Sequence, residues 1–187
     1  MEDNYMATTR NGHELKDMYN PEINTLDIRS NGLYPSNVLS NLCSNGFRLD
    51  GMVCGSMEGF LQSLKRKERD KQRQICSMRG GNARKMSVTS WQTDQVVWWK
   101  GQAIDRQSEE YQRLIRRAYQ SMFEQSERFR VALKQVWGMF ADNDQQVNGE
   151  SLFLQYYNQV IHFSGEHRMD DRVIEDVLVP LIRSIVK

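Results

Sequence analysis

Two amphipathic helices in immediate succession constrain this chain more than any other feature. Ser108-Glu109-Glu110 is a helix start: a hydroxyl suited to accept from the first free N–H groups, then carboxylates at the positive end of the dipole. Behind it Tyr111, Leu114, Ile115, Ala118, Tyr119, Met122 and Phe123 recur at helical spacing, with arginines on the other face. Ser126-Glu127 opens a second helix whose Phe129, Ala132, Leu133, Val136 and Trp137 form a stripe that belongs in a core. Such a pair needs partners to bury against, and shorter periodic segments upstream supply them.

The most informative of these runs from Ser56 to Lys65. Ser56 is a suitable N-cap, and Met57, Phe60, Leu61 and Leu64 follow at i, i+3, i+4, i+7, one helical face. The polar residues are ordered too. At about 100° per residue, Glu58, Gln62 and Lys65 fall at roughly 0°, 40° and −20°, a narrow stripe beside the apolar one. Gly59 in a helix interior costs about 1 kcal/mol against Ala, which predicts a close approach of other atoms at that point. A carboxylate, an amide and an amine on successive turns suit the lining of one site. The same pattern also describes an ordinary amphipathic helix with Glu58 on its dipole and solvated polar groups.

Around this helix the expected elements are short. Leu26-Asp27-Ile28 alternates like a strand, and residues 31–41 read as a loop rich in amides and hydroxyls. Asp50-Gly51, between Phe47-Arg48-Leu49 and Met52-Val53-Cys54, is a type I′ hairpin signal. Residues 65–73 alternate basic and acidic groups, the pattern of a solvated helix face or of a phosphate-facing one. Gly80-Gly81 is expected to end that helix, and Asn82 to Lys85 to restart a short one. Trp91, Trp98 and Trp99 suit a core, or stacking on a planar base. Asp142 to Gly149 is a polar break without calcium-loop spacing, Val160 to Phe163 a strand, and Pro180 fits the first turn of a closing apolar segment. The expected class is α+β, mainly helical: one domain over 25–187 with a few short strands, preceded by a polar arm at 1–24.

Composition excludes several function classes. A net charge of +1 over 187 residues gives no whole-chain case for nucleic acid or membrane, so any anion site must be local. Cys43, Cys54 and Cys76 form no C-x-x-C pair and are odd in number, which argues against a disulfide framework and a zinc site. His13, His162 and His167 are the only histidines, and no metal or Ser-His-Asp pattern includes them. No apolar run has the length of a signal peptide or membrane span. The expectation is a cytoplasmic protein with no metal and no cofactor.

The chain resembles the NADAR superfamily, which includes the YbiA-like proteins, and in particular its short phage-type members. The resemblance rests on Tyr34-Pro35, Leu39-Ser40-Asn41, Asp50-Gly51, Ser56 to Lys65, and Gly81 with Ala83 and Lys85. It continues through Trp98-Trp99-Lys100-Gly101, Ile104-Asp105-Arg106, Ser108-Glu110-Tyr111-Gln112 and the Phe129-Ala132-Leu133 helix, covering roughly residues 28–135. The segment 137–159 departs from the family pattern and reads as an insertion before His162 and Gly165. The resemblance implies cleavage of a ribose–base N-glycosidic bond in a nucleotide-like substrate. Family members act on riboflavin-pathway intermediates, or remove ADP-ribose from modified guanine in nucleic acid. It implies Glu58 and Lys65 as catalytic residues, with Ser40, Asn41, Gln62, Trp98, Trp99, Arg106 and His162 binding substrate. Glu58 suits stabilising the oxocarbenium-like centre, orienting water or acting as general base; Lys65 suits holding a phosphate or attacking the anomeric carbon. The alternative is a non-catalytic binder of ADP-ribose or NAD-like nucleotides, with the altered C-terminal region leaving the site incomplete.

Overall fold

A computed structural model describes residues 26–141, 146–147, 150–151, 161–162 and 174–186. Helices dominate and the strands are two to four residues long, so the mainly helical α+β class holds. The chain divides into two compact units, Asn41–Phe129 and a second drawn from Met1–Ser40 with Arg130–Lys187. The expected arm at 1–24 lies outside the described residues.

In the second unit, β1 (Leu26–Asp27) is followed by α1 (Ser36–Leu39). This helical turn falls inside the stretch read as loop. Its four residues are too few for a period to show, yet Val38 and Leu39 are buried. The buried Ser36 hydroxyl fixes the turn by accepting from Arg29 N–H (3.0 Å) and donating to the Asp27 carbonyl.

The central unit opens with β2 (Phe47–Leu49) and β3 (Met52–Cys54), an antiparallel hairpin. Asp50 (φ 50°) and Gly51 (φ 80°) both take the left-handed conformation that a type I′ turn requires. Then come α2 (Met57–Ser63), α3 (Arg69–Cys76), α4 (Gly80–Arg84), α5 (Trp91–Asp94), β4 (Val96–Trp99), β5 (Gln102–Asp105) and α6 (Glu109–Gln125). Ser108 caps α6 as expected, accepting from Tyr111 N–H at 3.2 Å.

Two local expectations change. Gly80-Gly81 does not end the charged helix: α3 stops at Cys76, and the glycines open α4. Gly80 is required there on steric grounds, since a Cβ on it would lie 2.0 Å from the Leu42 carbonyl oxygen. The second hairpin, β4–β5, contains Trp98 and Trp99, whose sequence shows a tryptophan cluster and no strand period. Lys100 (φ 51°) and Gly101 (φ 86°) make its turn with the same left-handed pair as Asp50-Gly51.

Helix α2 is the inner element of this unit, packed against α3, α4, α6 and β3. Met57, Phe60 and Leu64 are at most 1% exposed, and Phe60 meets Trp99 edge-on with ring centres 5.3 Å apart. Cys54 and Cys76 carry free thiols with sulfurs 3.2 Å apart, buried side by side although distant in sequence. Their mutual hydrogen bond, with burial, pushes the Cys54 thiol up from its usual pKa.

Helix α7 (Glu127–Ala141) follows Ser126, whose hydroxyl accepts from Phe129 N–H at 3.3 Å. Phe129, Ala132, Leu133 and Val136 are buried, as their stripe predicts, and the helix continues through the start of the 137–159 segment. Within that segment β6 (Gln146–Val147) pairs antiparallel with β7 (Glu150–Ser151). β8 (Ile161–His162) runs parallel to β1, with Asp27 opposite His162. A π-helical turn at Ile174–Leu178 leads into α8 (Val179–Val186), where Pro180 sits in the first turn.

Candidate functional site

The polar stripe of α2 is buried along with its apolar one. Ser56 accepts from Gly59 N–H (3.0 Å) and donates to the Met78 carbonyl (3.1 Å), which fixes the start of the helix against the chain leaving α3. Gly59 meets the requirement its sequence position predicts. A Cβ there would lie 2.6 Å from the Met78 carbonyl oxygen and 2.7 Å from that of Cys76, distances a side chain does not tolerate. On the same turn Glu58 is 7% exposed, and its N–H donates to the Asn41 carbonyl at 2.9 Å.

Gln62 Nε2 donates to Glu58 Oε1 at 2.7 Å, so the amide holds the carboxylate in place one turn on. Lys65 is half-buried just past the end of α2, and burial lowers its amine below the usual 10.5. The Glu58 carboxylate opposes that shift, while Arg106 and Arg66 reinforce it by charge repulsion. Glu58, Arg66 and Arg106 therefore lie within electrostatic reach of the Lys65 amine, two cations and one carboxylate. Two polar atoms in this neighbourhood are buried with no hydrogen-bond partner, Gln62 Oε1 and Arg66 Nε. Arg66 spends another of its N–H groups on the Met86 carbonyl (2.8 Å).

The remaining expected residues divide. Asn41 is buried beside Glu58, and its Oδ1 accepts from the Tyr119 hydroxyl at 2.7 Å, which fixes the amide. Trp98 is half-buried on β4, with Lys67 Nζ 5.0 Å from its ring centre, a cation–π contact on the charged run. Trp99 points the other way, as alternation along a strand requires. It is 6% exposed, packs on Phe60 and donates its indole N–H to Asp50 Oδ2 at 2.8 Å, a core position. Ser40 belongs to the other unit, where its N–H closes α1 on the Ser36 carbonyl. The backbone of His162 lies on β8, also in that unit, and its side chain lies outside the described residues.

One residue that frames the site had no place in the sequence reading. Gln72, in the charged run, is 1% exposed. Its Nε2 donates to the carbonyls of Trp98 (2.7 Å), Arg66 (3.2 Å) and Ser63 (3.3 Å), and its Oε1 accepts from Lys100 N–H (3.0 Å). Trp98 N–H in turn donates to the Leu64 carbonyl at 2.7 Å. Strand β4 is thereby tied to the end of α2, where Lys65 emerges. The signal was present: Gln72 sits at i−3 and i−4 from the buried Ile75 and Cys76, on the inner face of α3.

Among the described residues no three His, Cys, Asp or Glu side chains are grouped to hold a metal, and no helix is long and apolar enough to cross a membrane. The molecule is thus of the mainly helical α+β class, carrying a carboxylate and an amide on a helix enclosed on both its faces, with an amine just past its end. A family model described as Bacteriophage protein GP30.3 matches residues 33–140, and the chain belongs to that bacteriophage family. It is also 36% identical over 111 residues to an uncharacterized 17.1 kDa protein of the Gp30-rIII intergenic region of Enterobacteria phage T4. That match spans 58% of this chain and 73% of the phage T4 protein. No solved structure matches the chain. Glu58, Gln62, Lys65 and Arg106 all fall within the residues the family model matches, and His162 does not.

Proposed function

We propose that this protein is an N-glycosidase that cleaves a ribose–base bond in a nucleotide-like substrate, with ADP-ribose on modified guanine as the leading candidate. The observation that carries the reading is the grouping at the end of α2: a buried Glu58 carboxylate held by Gln62 at 2.7 Å, within electrostatic reach of the half-buried Lys65 amine, whose pKa is lowered by burial and by Arg106 and Arg66. A lysine whose proton is held less tightly is a better nucleophile near neutral pH. The resemblance of residues 28–135 to the NADAR superfamily supports the same residues from an independent direction.

In the proposed reaction the Lys65 amine attacks the anomeric carbon. The carbon–nitrogen bond to the base breaks with its electron pair, the departing nitrogen takes up a proton, and the sugar ring opens to a Schiff base. Water then adds to that carbon and releases the amine. Glu58, fixed by Gln62, stabilises the positive charge that builds at the anomeric carbon and takes the proton from the incoming amine or water. Arg66 and Arg106 supply the positive field for a phosphate on the same nucleotide.

A chromatographic assay without added metal tests this, with an ADP-ribosylated guanine oligonucleotide, NAD and a ribosylated pyrimidine intermediate of riboflavin synthesis in parallel. The expected result is release of a base or of ADP-ribose from one of them, reduced at least about 100-fold in Glu58→Gln and Lys65→Ala with the fold retained. Borohydride added during turnover should trap a sugar on wild-type protein and none on Lys65→Ala. Stoichiometric binding without product would instead identify a nucleotide-binding protein, and full activity in both variants would remove Glu58 and Lys65 from the reaction.

A further inference from the structure

The orphaned oxygen of Gln62 specifies what a substrate must bring to the site. Gln62 is 2% exposed, and a buried carbonyl oxygen without a donor is unfavourable by about 1–3 kcal/mol. Its orientation is not arbitrary. The Glu58 carboxylate accepts and does not donate, so it selects the Nε2 side of the amide at 2.7 Å, and Oε1 is left pointing elsewhere. The unused acceptor therefore calls for a hydrogen-bond donor. A phosphate oxygen or a base carbonyl does not satisfy it, whereas a hydroxyl or N–H does.

Resting on the glycosidase reading, the location narrows the donor further. Glu58 then faces the anomeric carbon, and the Gln62 amide is in direct contact with Glu58. The substrate hydroxyl nearest to that carbon is the one on the adjoining carbon of the ribose ring. We infer that Gln62 Oε1 accepts a hydrogen bond from the ribose 2-hydroxyl, which makes Gln62 the residue that selects ribose over 2-deoxyribose at the reacting sugar. Of the other buried unpartnered atoms among the described residues, Asn37 Oδ1 and Arg66 Nε, the Arg66 one is a donor near Lys65, and in this reading the phosphate would lie toward it. One end of the site thus asks for a donor and the other for an acceptor, as a sugar phosphate provides.

The test uses ribose 5-phosphate and 2-deoxyribose 5-phosphate, the fragment common to the candidate substrates, titrated into the full-length protein and followed by NMR, with ADP-ribose as a third probe. Wild-type protein should bind ribose 5-phosphate at least about tenfold more tightly than the deoxy sugar. Gln62→Met, which keeps the length of the side chain and removes the acceptor, should bring the two affinities within about twofold of each other. The wild-type comparison decides without any variant: equal affinities overturn the assignment, as does a preference that survives in Gln62→Met. If neither sugar phosphate nor ADP-ribose binds wild-type protein, the glycosidase reading falls and this inference falls with it. Binding without discrimination removes the Gln62 inference alone.

Discussion

The two faces of α2 are buried to nearly the same extent by opposite means. On one, Met57, Phe60 and Leu64 are enclosed by other apolar side chains and lack nothing. On the other, Glu58 and Gln62 are enclosed as polar groups, partly satisfied by each other, with one oxygen left over. Apolar burial is non-directional and stabilises whatever shape closes around it. Polar burial stabilises only where every group finds a partner, and an incomplete set marks a place built for something other than stability. The first face holds the unit together, and under the proposed function the second is where a ligand would be recognised.

The largest expected effect lies on the apolar face. Phe60→Ala removes the side chain that meets both Trp99 and Phe47, and should destabilise the protein by about 3–5 kcal/mol in a urea melt. A loss below about 1 kcal/mol would mean that the hairpin strands collapse into the space, and that the face is less rigid than its burial implies.

Lys65 separates the two faces by pH. Its folded amine has a pKa below 10.5 because burial disfavours the charged form, so between the folded value and about 10.5 the unfolded chain binds more protons than the native one. Stability at Lys65 is therefore poorest below the folded pKa and climbs as pH rises through that window. The slope for one proton is at most about 1.4 kcal/mol per pH unit, and solvent screening of a half-buried amine reduces it. Denaturant melts of wild type and Lys65→Met across this range should diverge, with the climb missing in the variant. Parallel curves would place the amine in ordinary solvent and weaken the proposal that it is a nucleophile.

The smallest effect is expected outside both faces. Arg117 pairs with Asp50 at the hairpin turn, but its side chain is about half exposed, so Arg117→Ala should change stability by no more than about 1 kcal/mol. A larger loss would show that Asp50 depends on that pair to receive the Trp99 indole N–H, and that the turn is part of the frame around Phe60.

What the sequence disclosed follows the same division. Periodic apolar spacing marked α2, α6 and α7 because burial of one face leaves a repeating trace. Asp50-Gly51 marked a hairpin because few residue pairs suit two successive left-handed positions, whereas Lys100-Gly101 adopts the same geometry without that chemical signature at its first residue. Glu58, Gln62 and Lys65 were legible as a stripe. The interaction of Lys65 with Arg106 was not, because it brings together residues from distant parts of the chain. Trp98 and Trp99 are adjacent in sequence and equivalent in composition. Strand alternation sends one toward Lys67 and the other toward Phe60, a distinction that depends on which side of β4 faces the core. Gln72 stayed hidden because an amide in a charged run resembles solvated surface until its four hydrogen bonds are seen.

Gly59 has a consequence for how relatives of this chain should be compared. With backbone oxygens of Cys76 and Met78 filling the space that a methyl group would occupy, position 59 is closed to every residue but glycine. Any descendant that keeps α2 in this packing inherits the glycine, whether or not it keeps a working site. An alignment in which position 59 never varies would therefore record the survival of a fold, and positions 58, 62 and 65 are the ones that would record the survival of the proposed chemistry.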